Sequence, residues 1–323
     1  MQVGDIERIA VVGAGLMGHG IGQEFALAGY AVVFHDLTEE KLQQATQRIQ
    51  RHLRELTDWG IVPAGEVPST MDRIQTTTVL EEAAADADLV VEAVFEDLTL
   101  KQRIFRELDS ICPECTILAS NTSSLMPSML ASATERPDRV LVAHYFYPPY
   151  LLPLVEIVRS EFTSDETVDT IYELLKAVGK SPIVVQKEAL GFIANRLQVA
   201  LFREALHIVE RGIATAQDVD IAVKNSFGRR LAVAGPLEML EQQAGWDMVL
   251  QIAGYILPDL DGSTEICPLV LEKVERGELG AKTGKGFYEW TPESAEAWRK
   301  KMMEALVGFL RTSTEQPPSK GSR

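Results

Sequence analysis

Short apolar runs alternate with longer amphipathic segments over the first 187 residues of the chain. Runs such as Ile9-Ala10-Val11-Val12 and Leu89-Val90-Val91 are apolar throughout, which is typical of strands in a parallel sheet covered by helices on both faces. Such strands are predicted at residues 8–12, 31–35, 74–78, 88–92, 116–120, 139–143, 154–158 and 182–186. Helical periodicity between them, for example over 39–57, 100–109 and 165–178, predicts an α/β domain with a doubly wound sheet.

The pattern changes beyond residue 187, where strand signals nearly vanish apart from residues 286–290. Apolar residues recur mostly every three or four positions over 191–211, which predicts a long amphipathic helix. We therefore expect an α/β domain at 1–187 and an all-helical domain at 188–311. The polar segment 312–323, rich in Pro and Ser, is predicted to be disordered.

Composition excludes several classes of protein. The chain carries 31 Lys and Arg against 47 Asp and Glu, a formal net charge of −16, which disfavours nucleic acid and anionic lipid as partners. No apolar stretch is long enough to cross a bilayer, and the N-terminus does not have the pattern of a secretory signal. An odd number of cysteines, three, favours reduced thiols and a cytoplasmic location. Cys112 and Cys115 form a C-x-x-C motif with no histidine nearby, so no metal site is predicted.

A glycine-rich motif, Gly13-Ala14-Gly15-Leu16-Met17-Gly18, follows the first predicted strand and opens a helix. This context favours a dinucleotide site, with pyrophosphate on the free N–H groups of the helix N-terminus. Asp36 ends the second predicted strand, where its carboxylate can accept hydrogen bonds from the adenine ribose. Its charge repels a 2′-phosphate, and Leu37 and Thr38 offer no compensating cation, so the sequence favours NAD over NADP. FAD uses the same fingerprint and stays an alternative.

His144 is the best candidate for a general base among the five histidines, because it ends a predicted strand just before a turn-rich segment. If 139–144 and 154–158 form a hairpin, Glu156 faces His144 across the strands. A carboxylate there would fix the imidazole tautomer and raise its basicity, although an ordinary polar pair is the alternative. Ser123 lies in a Ser/Thr-rich segment after another predicted strand, where it can serve a substrate oxygen or a helix cap.

With these residues identified, the chain resembles the NAD-dependent L-3-hydroxyacyl-CoA dehydrogenase superfamily over roughly residues 6–310. The matching motifs are 13–18, Glu92-Ala93-Val94-Phe95-Glu96 with Lys101, 120–125, His144 with Glu156, 191–196 and 284–288. The resemblance implies an NAD-binding Rossmann domain followed by a helical domain that carries substrate contacts and a homodimer contact, with catalysis between the two. It also implies that His144 is the base held by Glu156, and that Ser123 and Asn195 contact the reacting oxygen. Glu96 and Lys101 would lie near the nicotinamide ribose.

Two departures from the family pattern concern the substrate. Residues 55–60 read Glu-Leu-Thr-Asp-Trp-Gly, where relatives that use coenzyme A carry lysines, and Tyr147 stands at a family Asn. Segments 125–128, 148–156, 186–188 and 230–238 resemble the branch that includes lambda-crystallin, an L-gulonate 3-dehydrogenase, and that oxidises small free hydroxy acids. Arg230 could clamp a substrate carboxylate there, or it could be a surface arginine beside Arg229.

We therefore predict that NAD oxidises the 3-hydroxyl of a small hydroxy acid to a keto group, with the proton passing to the His144–Glu156 pair. The alternative is a short-chain L-3-hydroxyacyl-CoA dehydrogenase, whose substrate is an acyl thioester. A second alternative is a nucleotide-binding structural protein without turnover. The expected partners are the small molecule and a second copy of the chain.

Overall fold

The computed structural model describes the backbone of residues 2–314 and the side chains of these residues except 243, 244 and 312–314. The chain forms two compact units. The first contains the residues up to Ile193 together with those from Met303, and the second runs from Ala194 to Met302. The first unit therefore extends past the predicted boundary at residue 187 and includes the end of the last helix.

An eight-stranded sheet forms the first unit, in the order β3-β2-β1-β4-β5-β6-β7-β8. The strands are β1 (Arg8–Val12), β2 (Ala31–His35), β3 (Ile74–Thr77), β4 (Leu89–Glu92), β5 (Ile117–Ser120), β6 (Val140–Tyr145), β7 (Leu154–Val158) and β8 (Ser181–Val185). Neighbouring strands are parallel except β6 and β7, which are antiparallel. The predicted strands are confirmed to within two residues at each end.

Helices connect these strands and cover both faces of the sheet. They are α1 (Gly18–Leu27), α2 (Glu39–Asp58), α3 (Glu66–Asp72), α4 (Leu80–Ala84), α5 (Leu98–Ile111), α6 (Pro127–Ala131) and α7 (Asp165–Ala177). Side-chain caps fix where the longer ones begin, because Thr38 accepts from the Lys41 amide at 3.4 Å and Asp97 from the Leu100 amide at 2.7 Å. Ser164 caps α7 in the same way.

Alternate residues along each strand pack on opposite faces of the sheet. Ile9 and Val11 join one buried cluster with residues of α1, α2 and α7, whereas Ala10 and Val12 join a second cluster with residues of α4, α5 and α6. This alternation explains the continuous apolar runs, since neither strand face meets water. The prediction of a doubly wound α/β domain is confirmed.

The second unit is helical. Its helices are α8 (Ala194–Glu210), α9 (Ala216–Asn225), α10 (Phe227–Leu231), α11 (Pro236–Met239), α12 (Gly245–Ile256) and α13 (Pro268–Glu275), followed by the start of α14 (Pro292–Thr314). Helix α8 begins at Ala194 rather than at residue 191 as predicted, because Gly191 and Phe192 have left-handed backbones with φ of 75° and 52°. Among the described side chains from 194 to 302, none is buried.

The end of α14 packs on the first unit. Val307 is buried in a cluster with Leu56, Val62, Tyr150 and Leu151. One turn later, the Arg311 guanidinium donates a hydrogen bond to the Trp59 carbonyl. Residues 312–314 continue this helix, whereas 315–323, the rest of the tail predicted to be disordered, lie outside the described residues.

Candidate active site

The loop after β1 makes a tight turn in which two positions have no room for a side chain. Gly13 has φ of 98°, and a Cβ built there would lie 2.7 Å from the Ala93 carbonyl oxygen. A Cβ at Gly18 would overlap the Gly13 carbonyl oxygen, whereas one at Gly15 would meet no atom within 4 Å. The first and third glycines therefore close the turn, and Gly15 leaves its outer side open for a ligand.

A cavity of about 740 Å³ lies against this turn, a size usual for small-molecule sites. Its lining includes Gly13, Ala14, Gly15, Leu16, Met17, Asp36, Leu37, Lys41, Arg48, Ala93, Val94, Phe95 and Asn121. Helix α1 has no side-chain cap, so its N-terminus is open to phosphate oxygens. These residues fit NAD, with the turn at the pyrophosphate.

Asp36 is fixed at the edge of the cavity by backbone amides. Its Oδ2 accepts from the Ala14 N–H at 3.0 Å and its Oδ1 from the Leu37 N–H at 2.7 Å. The Lys41 ammonium lies 3.3 Å from Oδ1, a cation that the sequence argument missed. Lys41 lies one helical turn after the cap at Thr38, so the helix brings it back to Asp36.

His144 and Glu156 form a buried pair. They are direct partners in the β6–β7 register, and the His144 Nδ1 lies 2.8 Å from the Glu156 Oε2. The predicted contact is confirmed. A carboxylate at Nδ1 favours the tautomer with the proton on Nδ1 and the lone pair on Nε2, to which none of the described residues hydrogen bonds. This is the arrangement that a general base requires.

The turn at Gly191 and Phe192 supports this pair. The left-handed backbone of Phe192 directs the Ile193 N–H to the second oxygen of Glu156, at 2.9 Å. The buried Phe192 ring also lies 5.4 Å from the His144 ring, centroid to centroid. A bulky residue is rarely found at positive φ, so the sequence predicted helix here and missed this contact.

The other histidines of the first unit, His19, His35 and His52, lie in surroundings that favour a structural role. Desolvation by burial lowers the pKa of His19, and its Nδ1 lies 2.5 Å from the Gly15 carbonyl oxygen. Burial also lowers the pKa of His35, and lowers that of His52 to about 4. The His52 ring stacks on Tyr150 at 4.3 Å between centroids. None of these three rings has a carboxylate partner of the kind that His144 has.

Glu96 and the segment after β5 meet at the carboxyl ends of β4 and β5. The Glu96 Oε1 accepts hydrogen bonds from the Thr122 and Ser124 hydroxyls, the latter at 2.7 Å. Desolvation by burial raises the pKa of Glu96, but these hydrogen bonds and the Lys101 charge outweigh it and lower the pKa below its usual value. Ser123 is exposed and has no hydrogen-bond partner among the described residues.

Lys101 is 1% exposed and lies beneath this segment, 3.4 Å from Glu96 and 2.7 Å from Glu92. Glu92 was not singled out in the sequence, although a carboxylate ending a buried apolar run was an available signal. Asn121 was also missed. It lines the cavity, and its Oδ1 accepts from the Tyr145 N–H at 2.9 Å, which joins the cavity wall to the strand that carries His144.

Two predicted site residues belong to the second unit. Asn195 is the second residue of α8 and is half-buried, and Arg230 is exposed on the short helix α10. The structure thus brings together the predicted residues of the first unit around one sheet edge. The roles of these residues, like those of Asn195 and Arg230, stay predictions.

Neither a metal cluster nor a membrane span is evident in the part of the chain that the structure describes. It contains no group of three or more His, Cys, Asp or Glu side chains that could hold a metal ion. No described helix is both long and apolar enough to cross a bilayer. Cys112, Cys115 and Cys267 are free thiols, and burial raises the pKa of Cys112 to about 12.

Family models cover most of the sequence. The NAD binding domain of 3-hydroxyacyl-CoA dehydrogenase matches residues 8–189, and the C-terminal domain of the same enzymes matches residues 191–290. The chain belongs to the 3-hydroxyacyl-CoA dehydrogenase family. It is accordingly an NAD-dependent oxidoreductase that acts on CH–OH groups.

Relatives within this family differ in their substrates. The chain is 33% identical to the 5-formyl-3-hydroxy-2-methylpyridine 4-carboxylate 5-dehydrogenase of Mesorhizobium japonicum, over 95% of this chain and 98% of the relative. It is 36% identical to a probable 3-hydroxybutyryl-CoA dehydrogenase of Bacillus subtilis, over 90% and 100%. A human lambda-crystallin homolog is 37% identical over 73% and 74%.

Solved structures similar to this chain include both a pyridine carboxylic acid dehydrogenase and a 3-hydroxybutyryl-CoA dehydrogenase. A 5-formyl-3-hydroxy-2-methylpyridine 4-carboxylic acid 5-dehydrogenase, an NAD⁺-dependent dismutase, is 32% identical with a TM-score of 0.89 over 97% of this chain and 100% of its own. A (S)-3-hydroxybutyryl-CoA dehydrogenase of Ralstonia eutropha is also 32% identical, with a TM-score of 0.75 over 89% and 100%.

Proposed function

We propose that the chain is a dehydrogenase for a small free acid, in which His144 takes the hydroxyl proton while the carbinol hydrogen leaves as hydride. The single observation that carries this proposal is the buried His144–Glu156 pair, in which the carboxylate holds the proton on Nδ1 and leaves the Nε2 lone pair for substrate. NAD, when bound, supplies the hydride acceptor. The products are a carbonyl compound, NADH and a proton on His144.

The remaining site residues have binding roles in this proposal. The amides of residues 13–17 hold the pyrophosphate, and Asp36 accepts from the adenosine ribose. Glu96 accepts from the second ribose, with Lys101 behind it. Ser123 has an exposed hydroxyl that can donate to the reacting oxygen, and Asn195 has an amide suited to the same task.

Three observations favour a free acid over a thioester. Helix α14 lies beyond the end of the C-terminal family model at residue 290, and its Val307 covers the end of α2 near Trp59. The half-buried Glu55 and the exposed Asp58, next to Trp59, stand where cations would meet a polyanionic tail. A solved relative with a TM-score of 0.89 over 97% of this chain is a dehydrogenase of a pyridine carboxylic acid, which is a small free acid.

Matched substrates test this choice. We expect NADH formation with small free 3-hydroxy acids, or with an aldehyde acid whose hydrate presents the same H–C–OH group. Their CoA thioesters should react with lower kcat/KM. Arg230→Ala should raise the KM of the free acid by about tenfold, the scale of a charge-assisted hydrogen bond. Arg229→Ala is the matched control, and faster turnover of the thioester with no effect of Arg230→Ala would contradict the proposal.

A short-chain 3-hydroxyacyl-CoA thioester is the second candidate substrate. It is favoured by the 36% identity to a probable 3-hydroxybutyryl-CoA dehydrogenase over that relative's whole length. The similarity to a lambda-crystallin homolog keeps a structural role without turnover as a third candidate. NADH formation by the wild type with any substrate of the panel would exclude that third role as the sole one.

We also propose a homodimer built through the second unit. Large apolar side chains stay exposed there in a single chain, for example Leu250 at 78%, Tyr255 at 79% and Val233 at 84%. Surfaces of this kind usually contact another protein, and the chain's own copy is the partner that is always present. The free thiols agree with the predicted cytoplasmic location.

A further inference from the structure

Glu92 is a fully buried carboxylate with no direct path to a ligand. It ends β4 in the middle of the sheet and is 0% exposed. Its Oε1 accepts from the Val94 N–H and from the Lys101 ammonium, both at 2.7 Å, and its Oε2 accepts from the Ser120 hydroxyl at 2.5 Å. Every contact therefore leads to a segment that borders the cofactor cavity, rather than to the apolar core.

Lys101 connects this buried carboxylate to an accessible one. Its ammonium lies 2.7 Å from Glu92 and 3.4 Å from Glu96, whose side chain is 39% exposed. Three charges thus form a row from the interior to the surface, in which Lys101 is held more closely by the buried partner. Thr122 and Ser124 hold the other oxygen of Glu96 from the opposite side.

A backbone hydrogen bond also links Glu92 to the segment that borders the cavity. The Glu92 carbonyl accepts from the Asn121 N–H at 2.7 Å, and Asn121 lines the cavity. Glu92 is thereby joined to both segments that hold Glu96, the one after β4 and the one after β5. Burying an ion pair stabilises a fold little or not at all compared with apolar residues of similar size, so stability alone does not account for a charge at this position.

We infer that Glu92 is a positioning residue for cofactor binding: it anchors Lys101, and the anchored ammonium holds the Glu96 carboxylate in place beside the segments that border the cavity. The inference rests on the proposed role of Glu96 as an acceptor for a cofactor ribose. It adds a residue that touches neither cofactor nor substrate.

The test measures NADH binding by fluorescence titration across pH. Glu92→Gln/Lys101→Met removes both buried charges and keeps the volumes similar. We expect the dissociation constant of NADH to rise about tenfold, the scale of one charge-assisted hydrogen bond. The pH at which binding fails on the acid side should also rise, because Glu96 loses the cation that lowers its pKa. A residue that serves packing alone would not move this acid limit.

Glu92→Gln alone isolates the anchoring step, since it keeps an acceptor for the Val94 N–H while weakening the hold on Lys101. We expect a several-fold rise in the dissociation constant, smaller than in the double variant. If Glu92→Gln binds NADH with the affinity of the wild type, Glu92 does not support cofactor binding through Lys101 and the inference is wrong. Adding Glu96→Gln to the double variant should cause little further loss, because both changes act on one contact.

A second buried pair provides the matched control. Lys180 and Glu24 lie 2.5 Å apart with side chains 4% and 13% exposed. Glu24→Gln/Lys180→Met should leave the NADH affinity and its acid limit unchanged. Equal losses in both double variants would contradict the inference. Wild-type affinity in Glu96→Gln itself would instead refute the proposed role of Glu96, so the two failures are distinguishable.

Discussion

The two units of this chain differ in what they bury. The first unit packs apolar side chains on both faces of its sheet and also buries charged groups that hold one another, such as Lys101 with Glu92. In the second unit, none of the described side chains is buried, and many large apolar ones are exposed. The first unit thus has an interior of its own, whereas the second exposes the apolar surface on which the proposed dimer rests.

This difference separates the residues proposed for chemistry from the surface proposed for assembly. Groups that neighbouring side chains hold in a fixed orientation, such as Glu96 and His144, lie in the unit that has its own interior. The residues predicted to meet the substrate, Asn195 and Arg230, lie in the unit through which we propose that the chain dimerises. Chemistry and assembly should therefore respond to different substitutions.

Glu156→Gln should have the largest effect and should be confined to chemistry. The amide keeps the size of the carboxylate but no longer fixes the proton on His144 Nδ1, so kcat should fall by a factor on the order of 10²–10⁴. Steady-state kinetics give the fall, and light scattering should show an unchanged oligomer. A fall in kcat that merely follows loss of the folded protein in thermal melts would contradict this separation.

Leu250→Asp should affect assembly before chemistry. A charge in a buried apolar contact costs several kcal/mol, so the dissociation constant of the dimer should rise by roughly a hundredfold or more. Phe162→Asp is the control, because Phe162 is 49% exposed but belongs to the first unit. Analytical sedimentation gives the dissociation constant for both variants. A wild-type protein that sediments as a monomer would contradict the proposed dimer.

Asp36→Ala should change the choice of cofactor. The substitution removes the charge that repels a 2′-phosphate and releases Lys41, which lies 3.3 Å away, to bind it. The ratio of kcat/KM for NADP over NAD should rise by about tenfold or more, and Asp36→Ala/Lys41→Ala should reverse part of the gain. If both variants have the same ratio, Lys41 does not serve the cofactor.

Arg311→Ala should have the smallest effect. The lost hydrogen bond to the Trp59 carbonyl is exposed, so the free energy of unfolding should fall by about 1 kcal/mol or less. A thermal melt of the variant reports this, and its dimer should be unaffected because the contact lies within the first unit. If Arg311→Ala dissociated the proposed dimer, this end of α14 would belong to the dimer contact and not to the interior of the first unit.

Patterns that depend on neighbours in sequence were predictable. The apolar runs predicted all eight strands, and the positions of His144 and Glu156, symmetric about Tyr150, predicted their pairing across β6 and β7. Family motifs predicted Glu96 and Lys101 as members of one site, and these two side chains do lie together.

Contacts that depend on three-dimensional packing were not predictable. Lys41 approaches Asp36 only because α2 turns it back, and no local pattern marks the left-handed backbone of Phe192. The boundary at 187 was placed from a change in periodicity, which carries no information about the return of α14 to the first unit. The burial of Glu92 likewise follows from strand order, which a single sequence does not contain.

The central claim is that His144, held by Glu156, is the general base. The rate of hydride transfer in the His144→Ala variant tests this claim most directly. Rapid mixing of enzyme, NAD and an accepted substrate would follow NADH formation in a single turnover, with cofactor affinity measured separately. We predict a rate on the order of 10²–10⁴ lower than in the wild type, with NAD still bound. A variant that forms NADH as fast as the wild type would show that the imidazole held by Glu156 is not the base.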